Sequence, residues 1–490
     1  MLKRISLFLF FFILGVLNLV FKVKSEDLIN RNLNLNDKLN YLNYDWNKVI
    51  EDKKKEFDKS WNNFLDTNFF SYNLQNSKYY NFSVIYKYGL KDEDVNIVGI
   101  RFLLFYLIKN SINKKLIKER IYFKDELIIN EDYIGFNYIL INPEDIKKIY
   151  TLFNQYTNFE KIYDIDNEIY NFNELKKEVK KEIESYYESS INPVIFFFKQ
   201  QIFTAHPYYY LPYGNYNNIE KITINDLKKI DLSKIEKFYI LIGPNSNKIY
   251  QQIFTKYNQF NYNQFNNNEF NNKDFNNIFS YSKVKELNNS YNDYSNYRFI
   301  DIKRTRVLSF DIDSKNSYDI FLFSFPSFYQ NYKEYLAMLI IDNLLCDDLV
   351  GIFYKDLREN KGIIYSLYSF YPNLFLTSYY LIILASDSSS NEFKVFYIIK
   401  NILENIDKIE NINIEINEAK NRVINKIYLS FDTPYSLANS LIYPLLYKNK
   451  LISSFYLINN LYYLDNEYIK QIAKKYLINY YSFRLIGKDN

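Results

Sequence analysis

The chain has 490 residues, a formal net charge of +4 and 48% hydrophobic residues. That length suits two to four domains, and a charge so small gives nucleic acid no concentrated basic surface to recognise. There is one histidine, His206, and one cysteine, Cys346. An intrachain disulfide is therefore excluded, as is a zinc site built on two or three histidines. A Ser-His or Cys-His hydrolase would have only His206 to serve as base. With 52 Tyr and 42 Phe, any single aromatic residue carries little information.

In chain order, Lys3 and Arg4 precede an apolar run from Ile5 to Phe21. A basic start followed by an apolar stretch fits a signal peptide or a membrane anchor over residues 1–25, with cleavage expected near Ser25. Residues 26–75 are polar, with a weak helical pattern (Trp46, Ile50, Phe57, Trp61), and read as a helical lead-in. A first domain is expected over 76–257. Its strands are Phe82–Gly89, Asn137–Ile141 and Lys237–Pro244. Its helices are Gly99–Ile112, nearly continuously apolar, one that Pro143-Glu144-Asp145 opens, and a charged one over Glu174–Ser189. Residues 258–297 are mostly Asn with interspersed Phe and Tyr, a composition that packs no core and reads as a linker. A second domain over 298–490 repeats the rhythm: strands at Tyr318–Phe323, Ile363–Tyr371 and Ser378–Leu384, helices at Tyr332–Leu345, Glu392–Ile406 and Glu415–Phe431. The expected fold is α+β, built from two similar halves.

The order of these pieces resembles the pitrilysin/insulinase family of zinc peptidases, which includes the mitochondrial processing peptidases. Three stretches carry the resemblance. His206-Pro207-Tyr208-Tyr209-Tyr210-Leu211-Pro212-Tyr213-Gly214, followed by Lys221-Ile222-Thr223-Ile224-Asn225-Asp226-Leu227 and the Ile242-Gly243-Pro244 turn, follows a family pattern, which makes His206 a structural residue of that pattern and no metal ligand. Leu357-Arg358-Glu359-Asn360-Lys361-Gly362-Ile363-Ile364-Tyr365-Ser366 is similar to the family's second-half motif, whose arginine and tyrosine contact bound peptide. Chemically, Arg358 offers a planar fork of donors to a peptide carbonyl, and Tyr365 a phenol donor to a carbonyl becoming tetrahedral.

The third stretch is a departure. The family's zinc site is an inverted His-x-x-Glu-His helix, in which two histidines hold zinc and the glutamate activates water. Counted from Gly99, those positions hold Phe102, Phe105 and Tyr106. Phenylalanine has no lone pair and tyrosine is a poor zinc ligand. The family's third ligand is a glutamate, matched here by Glu182 in Val179-Lys180-Lys181-Glu182-Ile183, and one carboxylate cannot hold a catalytic zinc.

The resemblance implies a clamshell of two duplicated peptidase-family units, no catalytic residue, no metal and no cofactor in this chain. It implies a non-catalytic subunit that binds peptide through Arg358 and Tyr365 and completes the active site of a zinc-bearing paralogue in a heterodimer, and the N-terminal segment adds the expectation of export. The alternative is an exported binding or scaffold protein on the same fold with no proteolytic partner. An enzyme of another mechanism finds no acid pair at a defined spacing to support it.

Overall fold

The computed structural model describes residues 46–156, 172–188, 191–203, 206–261 and 302–487, with short interruptions at 303, 313–315, 329, 373, 376 and 388–393. Residues 1–25 and nearly all of 258–297 lie outside these. The chain divides into two compact units, 1–56 and 57–490, and both sheets belong to the second. Among the described residues no helix is long and apolar enough to cross a membrane.

The first half contains helix α1 (Trp46–Thr67), strands β1 (Phe69–Asn73) and β2 (Tyr80–Tyr86), helix α2 (Ile100–Lys118), strands β3 (Phe123–Ile129) and β4 (Ile134–Leu140), helices α3 (Pro143–Gln155), α4 (Phe172–Tyr187), α5 (Asn192–Ile202), α6 (Tyr216–Lys221) and α7 (Ile224–Lys228), strand β5 (Lys237–Gly243) and helix α8 (Ser246–Asn261). The second half contains β6 (Arg306–Ile312), β7 (Asn316–Phe323), α9 (Tyr332–Cys346), a π-helical turn (Tyr354–Asn360), β8 (Ser366–Phe370), β9 (Tyr380–Asp387), α10 (Lys394–Glu404), α11 (Ile412–Leu429), α12 (Pro434–Leu446), α13 (Ser454–Tyr462), α14 (Asn466–Leu477) and β10 (Tyr480–Gly487).

Duplication is explicit in the sheets. Their strand orders are β1-β5-β2-β4-β3 and β6-β10-β7-β9-β8, one the image of the other. In each, the first and last strands run parallel and the remaining pairs antiparallel. The α+β class and the two similar halves are thus as the sequence predicts. Two elements depart from it: helix α8 runs to Asn261, into the stretch read as a linker, and β1 lies inside the stretch read as a helical lead-in and is hydrogen-bonded along β5. Its Phe-Phe-Ser-Tyr run is too short to show a period, and only burial on both faces makes it a strand.

Residues alternate across each sheet. On β2, Phe82, Val84 and Tyr86 join the core formed with α2, α3 and α4. Asn81 and Ser83 point to the opposite face, where Asn81 Nδ2 donates to Ser83 Oγ at 2.7 Å and to Asn137 Oδ1 at 3.0 Å. That face is covered from the second half, and Asn137 donates to Asn439 of α12 at 3.1 Å. The reciprocal cover holds at the second sheet. Val194 and Phe198 of α5, with Phe203 and Tyr208, are buried against Ile320, Leu322, Leu381, Ile383 and Phe483. Each half therefore lends its third post-sheet helix to the other.

Asp132, at the β3–β4 turn, ties the exchange together. Its carboxylate accepts from the Tyr208 hydroxyl, from the Tyr447 hydroxyl at 2.6 Å and from the Phe375 amide at 2.8 Å. Burial raises its pKa against the pull of these donors. Next to it, Glu131 is paired with the buried ammonium of Lys199 on α5. Replacing Asp132 with Ala strips three donors of their acceptor, so Asp132→Ala should lose at least about 3 kcal/mol in urea unfolding. A loss below about 1 kcal/mol would contradict a linking role for this carboxylate.

A second buried acid gives a pH test. Asp319 on β7 lies opposite Arg484 on β10, the charged groups 4.0 Å apart and both almost fully buried. Burial dominates over the arginine and lifts the Asp319 pKa from 3.8 to about 6. A carboxyl with a raised folded pKa contributes stability that is full below the unfolded value and is lost as pH rises through the folded one. Between about pH 3.5 and 7, Asp319→Asn should therefore gain on the wild type by about 3 kcal/mol. A difference independent of pH in paired urea titrations would refute this.

Candidate functional site

Helix α2 carries Phe102, Phe105 and Tyr106, the positions the sequence pattern matched to a zinc helix, and its first turn is closely held. Gly99 sits at φ 109°. Glu93 caps the helix start, its Oε1 accepting from the Gly99 amide at 3.0 Å and the Arg101 amide at 2.9 Å, where a carboxylate also meets the positive end of the helix dipole. Arg101 is fully buried and donates to the carbonyls of Tyr88 (2.9 Å), Tyr133 (3.1 Å) and Pro212 (2.9 Å). The 206–214 segment crosses this helix start so closely that a Cβ on Gly214 would meet Gly99 Cα at 2.3 Å. That contact explains the glycine ending the segment. His206 opens it: its Nδ1 accepts from the Tyr208 amide at 3.1 Å. Burial, then the Lys199 charge, lowers its pKa to about 4, so the imidazole is neutral at pH 7.

One turn on, the degenerate positions come together. Phe102 is buried with its ring 4.9 Å from Tyr213 and 6.0 Å from Tyr106, which is partly exposed. Phe105 is fully buried, stacked on Phe136 at 5.5 Å and edge-on to Tyr86 at 4.9 Å. Helix α4 lies along α2. It buries Val179 and Ile183 and leaves Glu182 exposed. Glu182 is nonetheless near the cluster, since its charge, with that of Glu126 on β3, adds to burial in raising the Tyr213 pKa. Rings thus fill the three α2 positions, and Glu182 stays at the surface. Among the described residues no group of three or more His, Cys, Asp and Glu side chains is placed to hold a metal ion. Tyr213 and Glu126 are members that the sequence offered no reason to select.

Arg358 and Tyr365 lie in the second half, between α9 and β8. Arg358 is carried by the π-helical turn Tyr354–Asn360, of which Leu357 is the fully buried anchor. The turn closes through Gly362, at φ 60° with nothing within 4 Å of where a Cβ would be. The Gly362 amide donates to the Arg358 carbonyl at 3.1 Å and the Ile363 amide to the Leu357 carbonyl at 2.9 Å. Beyond the turn, the Tyr365 amide donates to the Ala385 carbonyl on β9 at 2.8 Å. Both side chains are exposed, Tyr365 to 51%. π-Helical turns are rare and gather at functional sites. A Tyr four residues before Arg358 was visible in the sequence, but nothing there marked the turn as π-helical.

Two like-folded five-stranded sheets, each wrapped by helices, define a duplicated α+β fold. Residues 284–423 match the family model described as Peptidase M16 inactive domain. No curated protein matches the chain. Among solved structures, a protease from Helicobacter pylori superposes with a TM-score of 0.66 at 16% identity, over 85% of this chain and 96% of that one. A peptidase M16 inactive domain from Pseudomonas fluorescens gives 0.61 at 13% identity, over 86% and 95%. A chain of Complex III2 from Candida albicans gives 0.61 at 11%, over 85% and 93%. Residues 284–423 thus carry the M16 inactive-domain pattern, and the chain as a whole has the fold of M16-like peptidases.

Purified protein should hold no stoichiometric zinc after dialysis, because ring carbons stand at the ligand positions. Elemental analysis returning one zinc per chain, lost in Glu182→Ala, would overturn this reading of the cluster.

Proposed function

We propose that this chain is the non-catalytic, peptide-binding subunit of an exported zinc peptidase, and that it completes the active site of a zinc-bearing paralogue. The observation that carries this reading is the contrast between the two sites. The helix that would hold metal is packed with Phe102 and Phe105, while Arg358 and Tyr365 remain exposed on a rigid, hydrogen-bonded turn. An arginine and a phenol both kept at the surface are suited to hold a peptide carbonyl and to donate to the oxyanion that forms when a partner's zinc-bound water attacks. The proposed export rests on Lys3, Arg4 and the apolar run Ile5–Phe21. That a chain of a multi-subunit complex shares this fold is consistent with a life in an assembly.

Co-purification at native expression would identify the partner, and the reconstituted pair gives the test. Tyr365→Phe should lower kcat roughly a hundred- to thousandfold, the usual loss for one oxyanion donor, with assembly unchanged. Arg358→Ala should act mainly on KM if it holds the ground-state peptide. Unchanged kinetics in both variants would remove the catalytic-partner reading and leave a peptide-binding scaffold as the reading in force.

A further inference from the structure

Arg358 has one aromatic neighbour that the sequence motif does not include. The guanidinium carbon lies 5.2 Å from the centre of the Tyr354 ring, within the range of a cation–π contact. Both residues belong to the π-helical turn, and the backbone of that turn is fixed at both ends. Lys355 pairs with Glu415 of α11 at 3.4 Å, Lys361 pairs with Asp356, and Leu357 is fully buried. What the backbone does not fix is the Arg358 side chain. A long exposed side chain samples many rotamers, and ordering it on binding weakens affinity. A ring under the guanidinium removes part of that cost in advance. A guanidinium attracted through its face also keeps its N–H edge for a planar acceptor.

We propose that Tyr354 is a positioning residue for Arg358: its ring holds the guanidinium ready for a carbonyl or carboxylate group of a bound peptide. The effect of the ring on binding passes through the arginine, so the proposal rests on the peptide-binding reading above. Tyr354→Phe keeps the ring and should behave as wild type. Tyr354→Leu removes the π face and should weaken binding roughly two- to fivefold, the equivalent of an exposed cation–π contact. Arg358→Lys should resemble Arg358→Ala, because an ammonium has no planar fork to present.

The experiment uses the full chain and fluorescein-labelled decapeptides of random sequence, followed by anisotropy, with thermal unfolding as a check that each variant folds. Support is a loss in Tyr354→Leu that Phe rescues and that disappears in an Arg358→Ala background. An equal loss in both backgrounds, or none in either, overturns the proposal. A second measurement needs no peptide. In arginine-labelled protein, the Arg358 Nε–Hε resonance, assigned by its disappearance in Arg358→Ala, should carry a ring-current shift that Tyr354→Phe preserves and Tyr354→Leu abolishes. A resonance unmoved by Tyr354→Leu also overturns the proposal. Wild-type protein that binds none of the peptides would defeat the peptide-binding reading itself, and the resonance would then decide alone whether Tyr354 holds Arg358.

Discussion

Much of this fold follows from one constraint: each half has a five-stranded sheet with two apolar faces, and its own helices cover one of them and at most part of the other, α1 setting Phe57 against Phe70 and Phe64 against Phe238. An open face would expose the row Ile320, Leu322, Leu381 and Ile383 on the second sheet, or Phe70, Phe238 and Ile240 on the first. Burying such side chains contributes about 1.5–3 kcal/mol each. The solution is mutual: α5 leaves the first half to cover the second sheet, and α12 leaves the second half to help cover the first. The halves are then parts of one core, and polar groups at the crossing must be satisfied within it. Asp132, with Tyr208, Tyr447 and the Phe375 amide, and the Asn81–Ser83–Asn137–Asn439 chain meet most of that requirement, Asn81 Oδ1 being left without a donor.

The same packing logic explains the fate of the metal helix. A glutamate at position 105 would lie against Phe136 and Tyr86 in a fully buried spot, where an uncompensated carboxylate costs several kcal/mol or takes up a proton. Zinc would offset that cost; without it, phenylalanine is the stable occupant. The helix start is retained intact, with the Glu93 cap, the Arg101 contacts and the Gly99–Gly214 crossing. These parts hold the 206–214 segment in place whether or not metal is bound one turn later. The arginine–tyrosine element is under no such pressure, because its side chains are exposed and water can satisfy their polar groups.

Legibility varied with the kind of signal. The α3 start was readable from Pro143-Glu144-Asp145, and the structure adds an Asn142 cap whose side chain accepts from the Glu144 amide at 3.1 Å. β5, β7 and α9 were readable as apolar runs of the right length. The edge strands β3 and β6 were not, because solvent on one or both sides leaves charged residues among the apolar ones. The two exchanged helices also escaped notice. Both α5 (Asn-Pro-Val-Ile-Phe-Phe-Phe) and α12 (Pro-Tyr-Ser-Leu-Ala-Asn-Ser-Leu-Ile) carry a proline in the first turn. Each packs its apolar residues against a sheet of the other half, and nothing in the neighbouring sequence calls for them.

The sequence alone determined what side-chain chemistry permits. One histidine, and rings at positions 102, 105 and 106, exclude the family's zinc chemistry whatever the fold does with them. The spacing of the Arg358–Tyr365 motif identified the surface element, and the motif order identified the α+β duplication. Tertiary structure decided everything that depends on residues far apart in the chain. It paired β1 with β5 and sent α5 and α12 across the halves. It placed Tyr213 beside Phe102, and it set Tyr354 beside Arg358 by winding their turn as a π-helix. Periodicity reports which face of an element is apolar, but it cannot say which apolar surface will cover that face, because any complementary surface removes the same area from water.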